Sequence, residues 1–138
     1  MRDFMIDATC LKCLTTLAKM EFNYKQEMVD LSICPLIACN MNCSFCYIDK
    51  VKFCDRDLLS LETLVKVLKN YKIRHLDVYG GEITLLNEQY AVKLISTIRQ
   101  HYERSIGFVS NGLQVPKHWI NIFKQDFSDI AFSVGNGR

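Results

Sequence analysis

The sequence contains no uninterrupted apolar run that approaches the roughly 18 residues needed for a membrane-spanning helix. It begins Met1-Arg-Asp-Phe-Met-Ile-Asp, where acidic residues interrupt the apolar ones, so we expect no secretory signal peptide there. Internal repeats, low-complexity tracts and obvious linkers are also lacking. These absences predict a cytoplasmic chain with no membrane partner.

Basic charge is not gathered into a patch. The chain has 17 Lys and Arg against 15 Asp and Glu, and its basic residues are dispersed. Because nucleic-acid binding needs clustered basic groups, we expect no nucleic-acid partner. Hydrophobic residues make up 49% of the 138, which is enough for one globular domain with a real core.

Seven cysteines are an odd number, and a chain without features of secretion is not expected to use them in disulfides. Metal ligation and reduced core thiols are the better interpretations. Cys10 and Cys13 have the Cys-x-x-Cys spacing of redox or metal sites, but they fall on a predicted helix over 8–19, which favours plain packing. Cys34 and Cys54 stand alone in the sequence.

The other three cysteines lie close together in the stretch Cys39-Asn-Met-Asn-Cys43-Ser-Phe-Cys46-Tyr47. A short loop of this kind can fold around one metal centre, since its asparagines tolerate turn geometry. A tetrahedral zinc site would need a fourth ligand from elsewhere. A cubane iron–sulfur cluster can use three thiolates and leave one iron open for chemistry.

Hydrophobic periodicity predicts four strands over 29–33, 75–79, 106–110 and 130–134. Three helices separate them, the first capped by Ser60, the second capped by Asn87 and the third beginning at Pro116. This βαβαβαβ order favours an α/β fold with a parallel sheet and right-handed crossovers. Residues beyond the carboxyl ends of the strands then share one rim: the cysteine loop, Gly80-Gly81-Glu82, Ser110-Asn111-Gly112 and 133–137.

The cysteine loop resembles the signature of the radical S-adenosylmethionine (radical SAM) superfamily, Cys-x-x-x-Cys-x-aromatic-Cys, with Phe45 in the aromatic position. Gly80-Gly81-Glu82 resembles the family's Gly-Gly-Glu-Pro, with Ile83 in place of the proline. The resemblance implies that this stretch contacts the amino group of S-adenosylmethionine. Glycines allow close backbone approach, and a carbonyl or carboxylate there can accept from an ammonium group. The alternative without a functional role is that Gly80 and Gly81 form a bulge or tight turn and that Glu82 is an exposed acid.

Two further rim stretches carry weaker parts of the resemblance. Ser110-Asn111-Gly112 is similar to the family's Thr-Asn-Gly, although a simple Asn-Gly turn explains it equally well. Ser133 matches the first residue of the Ser-x-Asp that reaches the ribose, while Gly135 stands where the acid is expected. Phe45 and Tyr47 would pack near the adenine or the cluster, with ordinary core packing as the alternative.

The resemblance implies that 27–138 form the N-terminal part of the core domain, after a helical extension over 1–26. The fold would be a partial (β/α) TIM-like barrel of about four parallel strands with helices outside, truncated relative to the family's six βα units. The last strand would then be an edge. A fragment, a minimal core and an edge covered by another chain are all compatible with the sequence.

The implied activity is that of a radical SAM enzyme. Cys39, Cys43 and Cys46 would hold a [4Fe-4S] cluster that reductively cleaves S-adenosylmethionine to a 5′-deoxyadenosyl radical, which abstracts hydrogen from an unidentified small molecule or peptide. An external donor of the flavodoxin or ferredoxin type would supply the electron. The alternatives are a non-catalytic module, with zinc on the three cysteines plus Cys34 or Cys54, and a degenerate truncated homologue.

Overall fold

The computed structural model describes residues 3–7, 28–44, 46, 58–125 and 128–133, with backbone only for 3–7 and 128. In this part of the chain the strands are β1 (Asp3–Asp7), β2 (Met28–Cys34), β3 (Lys72–Val78), β4 (Ile106–Ser110) and β5 (Ser128–Phe132). The helices are α1 (Leu61–Asn70), α2 (Glu88–Arg99) and α3 (Lys117–Gln125). A short 3₁₀ turn over Ile83–Leu85 follows β3.

The strands form one parallel sheet in the order β1-β2-β3-β4-β5. Neighbouring parallel strands joined in sequence by right-handed crossovers bring successive helices to the same face of the sheet, as in a (β/α) barrel. The predicted α/β fold is confirmed: the four predicted parallel strands are β2 to β5, and together with the three helices they are consistent with part of a barrel. The carboxyl ends of the strands therefore share one edge.

Strand β1 was not predicted. It lies within 1–26, the stretch expected to form a helical extension, and it pairs in register with β2, from Asp3 opposite Asp30 to Asp7 opposite Cys34. The helix predicted over 8–19 lies outside the described residues. The sheet thus begins earlier in the chain than the sequence pattern indicated.

The pairing of β2 with β3 includes an irregularity. The register shifts between Val29 and Asp30, and β3 begins at Lys72, ahead of the predicted start at His75. Arg74 grips the Asp30 carboxylate with two nitrogens, with Nε donating to Oδ1 at 2.8 Å. This hydrogen bond, together with the positive charge of Arg74, holds the pKa of Asp30 below its usual value.

One face of the sheet builds the core with the helices. Alternate strand residues are buried there, and the apolar stripes of the helices cover them. The buried set includes Leu31, Ile33, Leu76, Val78, Ile106 and Phe108 from the strands, and Leu64, Leu68, Leu94, Ile98 and Trp119 from the helices. Each large apolar side chain buried this completely contributes about 1.5–3 kcal/mol.

Trp119 lies at the centre of an aromatic group in this core, as expected for a packing residue. It is fully buried and meets the ring of Phe108 edge-on, with ring centroids 5.9 Å apart and an interplanar angle of 76°. The ring of Phe123 packs against both. Such contacts fix the position of α3 against β4.

Side-chain caps set the start of two helices. Ser60 accepts from the Thr63 backbone at the start of α1, and Asn87 accepts from Tyr90 at the start of α2, as predicted. The Tyr90 hydroxyl donates to the Leu59 carbonyl at 2.6 Å, and burial raises the pKa of Tyr90. No helix in the described ranges has both the length and the apolar character to cross a bilayer.

Candidate functional site at the carboxyl edge of the sheet

The cysteine loop begins directly after β2 and carries Cys39, Cys43 and Cys46 to the carboxyl edge. All three side chains are half-buried, and none forms a disulfide. The Cys46 backbone N–H donates to the Cys43 carbonyl at 3.2 Å, which closes a turn between the last two cysteines. The Met41 N–H donates to Cys39 Sγ at 3.4 Å. The loop backbone thus bends locally around its own sulfurs.

Gly80 and Gly81, at the end of β3, lie against the segment that leads into this loop. Gly81 N donates to the Leu36 carbonyl at 3.0 Å, and Glu82 N donates to the Ala38 carbonyl at 2.8 Å. A Cβ on Gly81 would lie 2.0 Å from the Ala38 oxygen, so only glycine permits this approach. The tail of β3 therefore fixes the backbone immediately before Cys39.

Gly80 must also be glycine, for two reasons. Its φ is +137°, a conformation that residues with a side chain rarely adopt, and a Cβ there would lie 2.2 Å from Cys34 Sγ. Cys34 is buried and donates to the Leu36 carbonyl at 3.2 Å. This thiol therefore packs under the glycine pair, and its buried position favours the interpretation that Cys34 is a reduced thiol of the core.

The Glu82 carboxylate is the acceptor that connects the residues at this edge of the sheet. The side chain is 1% exposed, and its two oxygens accept four hydrogen bonds from the chain. Oε1 accepts from Thr84 N at 3.1 Å, from Thr84 Oγ1 at 2.8 Å and from Ser110 Oγ at 2.7 Å. Oε2 accepts from Asn111 N at 2.6 Å. A carboxylate so completely satisfied joins the tail of β3 to the tail of β4.

Asn111 continues this connection towards the cysteines. Its Nδ2 lies 2.8 Å from Asn40 Oδ1 and 3.8 Å from Cys39 Sγ. Its Oδ1 accepts from Leu113 N at 2.9 Å. The structure thus brings the tails of β2, β3 and β4 into contact, as the rule for parallel sheets predicts.

The remaining predicted site residues have different positions. Ser110 is 2% exposed and bonded to Glu82, and Ser133 is exposed, with its N–H donating to the Ser110 carbonyl at 2.9 Å. Phe45, Tyr47 and Gly135 lie outside the described residues, as do Cys10, Cys13 and Cys54. Their predicted roles stay predictions.

Two contributors to the site were missed in the sequence. Asn40 was treated only as a residue that tolerates a turn, whereas its side chain accepts from Asn111. Thr84, two residues after Glu82, gives that carboxylate both its N–H and its hydroxyl. The available signal was local, because Glu82 directly precedes the 3₁₀ turn and accepts from the N–H two residues later, as an N-cap residue does.

A family model for the radical SAM superfamily matches residues 33–135, which is more than half of the chain. The chain belongs to the radical SAM superfamily. Searches of curated proteins and of solved structures gave no significant match. The matched range begins at the end of β2, runs through β5 and includes the cysteine loop, the glycine pair and Glu82.

Members of the radical SAM superfamily are typically enzymes that bind a [4Fe-4S] cluster and S-adenosylmethionine. Within the described ranges, which include Cys39, Cys43 and Cys46, no three Cys, His, Asp or Glu side chains come together as a metal site. The donor set nevertheless fits such a cluster, because three half-exposed thiols arise from one short loop and thiolates are the ligands it takes. Metal binding commonly orders its own ligands.

Proposed function

We propose that this chain is the core of a radical SAM enzyme in which Cys39, Cys43 and Cys46 hold a [4Fe-4S] cluster. The observation that carries the proposal is the contact between the three strand tails, in which Glu82 binds Asn111 and Asn111 binds the start of the cysteine loop. This contact supports one composite site, because one hydrogen-bonded network holds both the cysteine loop and the glycine edge, by which we mean Gly80, Gly81 and Glu82.

When bound, the cluster and S-adenosylmethionine supply the electron and the sulfonium C–S bond whose cleavage gives methionine and a hydrogen-abstracting 5′-deoxyadenosyl radical. The chain's own residues bind and orient. The Glu82 carboxylate is buried and already accepts four hydrogen bonds, so it is not available to the amino group of the cosubstrate. We assign that contact to the half-buried backbone of Gly80 and Gly81, whose lack of side chains allows close approach.

The other rim residues take supporting roles in this proposal. Ser110 holds Glu82 and does not meet the cofactor, because its hydroxyl is buried against the Glu82 carboxylate. Ser133 is exposed at the same edge and is the candidate for a ribose contact. Phe45 and Tyr47 are candidates for packing near the adenine or the cluster. An electron donor of the flavodoxin or ferredoxin type, a small-molecule or peptide substrate and a cytoplasmic location complete the proposal.

Anaerobic purification and reconstitution test it. We expect brown protein with about four irons and four sulfides per chain, and 5′-deoxyadenosine after S-adenosylmethionine and dithionite are added. The variant Cys43→Ala should lose the iron, while its far-ultraviolet circular dichroism stays that of the wild type.

The variant Cys34→Ala is the matched control, since Cys34 packs under the glycines and is not among the proposed ligands. It should keep the iron. Colourless protein with one tightly bound zinc would instead favour a structural metal module. Full cluster content without 5′-deoxyadenosine would indicate a homologue that no longer turns over.

A further inference from the structure

The amide of Asn111 spans two elements that are far apart in the sequence. From the tail of β4 it reaches back to the start of the cysteine loop, where Nδ2 lies 2.8 Å from Asn40 Oδ1 and 3.8 Å from Cys39 Sγ. A primary amide nitrogen carries two hydrogens, so it can donate to both atoms at once. Asn111 therefore makes a direct polar contact with Cys39 Sγ, one of the three sulfurs proposed as cluster ligands.

The orientation of this amide is fixed from behind. Its Oδ1 accepts from Leu113 N at 2.9 Å, so the NH₂ group must be the end that faces the loop. Its own backbone N–H donates to Glu82 Oε2 at 2.6 Å, and Gly112, with φ of +67°, turns the chain directly afterwards. The backbone and the side-chain oxygen of Asn111 are thus both fixed by hydrogen bonds, and these bonds direct its Nδ2 towards Cys39 Sγ.

We infer that Asn111 is a positioning residue that ties the Cys39 end of the loop to Glu82 and donates an N–H to the Cys39 sulfur. The inference rests on the proposed function for the part that concerns the cluster. Hydrogen bonds to cluster sulfurs favour the reduced state, which carries more negative charge on those sulfurs, and so raise the reduction potential. The same amide restrains the loop at Asn40 whether or not a metal is bound.

Three variants of the full chain test this inference. Asn111→Ala removes the whole amide. Asn111→Asp keeps an acceptor for Leu113 N but removes the donor to Asn40 and Cys39. Asn70→Ala is the control, because Asn70 is also an asparagine whose Nδ2 donates to a neutral oxygen, the Lys66 carbonyl at 2.8 Å, but it stands just before β3, at the opposite edge of the sheet.

The first readout is hydrogen–deuterium exchange of metal-free protein. We expect faster exchange in peptides that cover residues 38–44 in both Asn111 variants, and wild-type exchange in Asn70→Ala. The second readout is the midpoint potential of reconstituted protein, followed by electron paramagnetic resonance. Asn111→Ala should lower the midpoint potential, with the equilibrium constant for reduction falling about three- to tenfold. A tenfold fall corresponds to about 59 mV for one electron.

Faster exchange together with a lower midpoint supports both contacts of the amide. Unchanged exchange and an unchanged midpoint overturn the inference, and faster exchange with an unchanged midpoint overturns the sulfur contact. If wild-type protein fails to take up a cluster, the proposed function fails, and the exchange measurement still decides whether Asn111 restrains the loop.

Discussion

Replacing Glu82 is the sharpest perturbation of this edge. The side chain is 1% exposed, and its acceptors satisfy two backbone N–H groups, those of Thr84 and Asn111, together with the hydroxyls of Thr84 and Ser110. Glu82→Ala removes every one of these acceptors. Glu82→Gln keeps the shape and one oxygen but puts an amide donor against groups that also donate.

The expected cost follows from the donors left without a partner. A buried donor that loses its acceptor costs about 1–3 kcal/mol. Hydroxyls can rotate to another acceptor, whereas the two backbone N–H groups cannot, so we expect Glu82→Ala to lower the free energy of unfolding by about 2–6 kcal/mol. Glu82→Gln leaves one donor facing a donor and should cost about 1–3 kcal/mol.

Urea unfolding under reducing conditions, followed by circular dichroism, measures both values. The midpoint should fall in the order wild type, Glu82→Gln, Glu82→Ala, with the slope unchanged. Glu62→Ala is the control, because Glu62 forms an exposed ion pair with Lys66 that is expected to contribute no more than about 1 kcal/mol. A Glu82→Ala midpoint equal to that of Glu62→Ala would refute the role of Glu82 as the acceptor that connects this edge.

Two further predictions concern other contacts. Gly81→Ala should reduce iron uptake on reconstitution, because its Cβ would collide with the Ala38 backbone that leads into the cysteine loop. Gly107→Ala should keep the iron, since its Cβ would meet only the exposed side chain of Asp77. Equal iron content in the two variants would contradict this prediction. Tyr90 has a raised pKa in the folded protein, so its stabilising contribution is present below the unfolded value of about 10 and is lost as pH rises above it. Tyr90→Phe, which also loses the bond to Leu59, should therefore show a shallower decrease of unfolding free energy between about pH 9.5 and 11, and parallel pH curves would be the contrary result.

Much of the fold could be predicted because its signals are local. The caps Ser60 and Asn87, together with the helical spacing of apolar residues, locate the starts of α1 and α2. Strand β1 was missed because its five residues, Asp3–Asp7, place three apolar side chains in a row, without alternation, and they become a strand only by pairing with β2.

The early start of β3 was missed for a related reason. Lys72 and Arg74 resemble a polar connection in the sequence, yet both belong to β3, where Arg74 forms an ion pair with Asp30 on the neighbouring strand. Such a pair joins residues that only the register of two strands brings together. The sequence of one strand does not show which residue of the neighbouring strand will lie beside it.

The candidate site was predicted at the level of strand tails and not at the level of side chains. The rule that parallel strands end at one edge correctly brought the cysteine loop, Glu82 and Asn111 together. The direction of the Glu82 carboxylate was not predictable, since a glutamate after two glycines is compatible with a side chain that faces solvent, a ligand or the chain. Its buried position depends on donors from Ser110 and Asn111, which follow it by a whole helix and strand.

The central claim is that the cysteine loop and the glycine edge form one binding site. Electron paramagnetic resonance of anaerobically reconstituted, dithionite-reduced protein tests it most directly, with spectra recorded before and after saturation with S-adenosylmethionine. We predict a cluster signal whose g values change on addition in the wild type. A fully loaded cluster whose signal is identical with and without S-adenosylmethionine would contradict the claim.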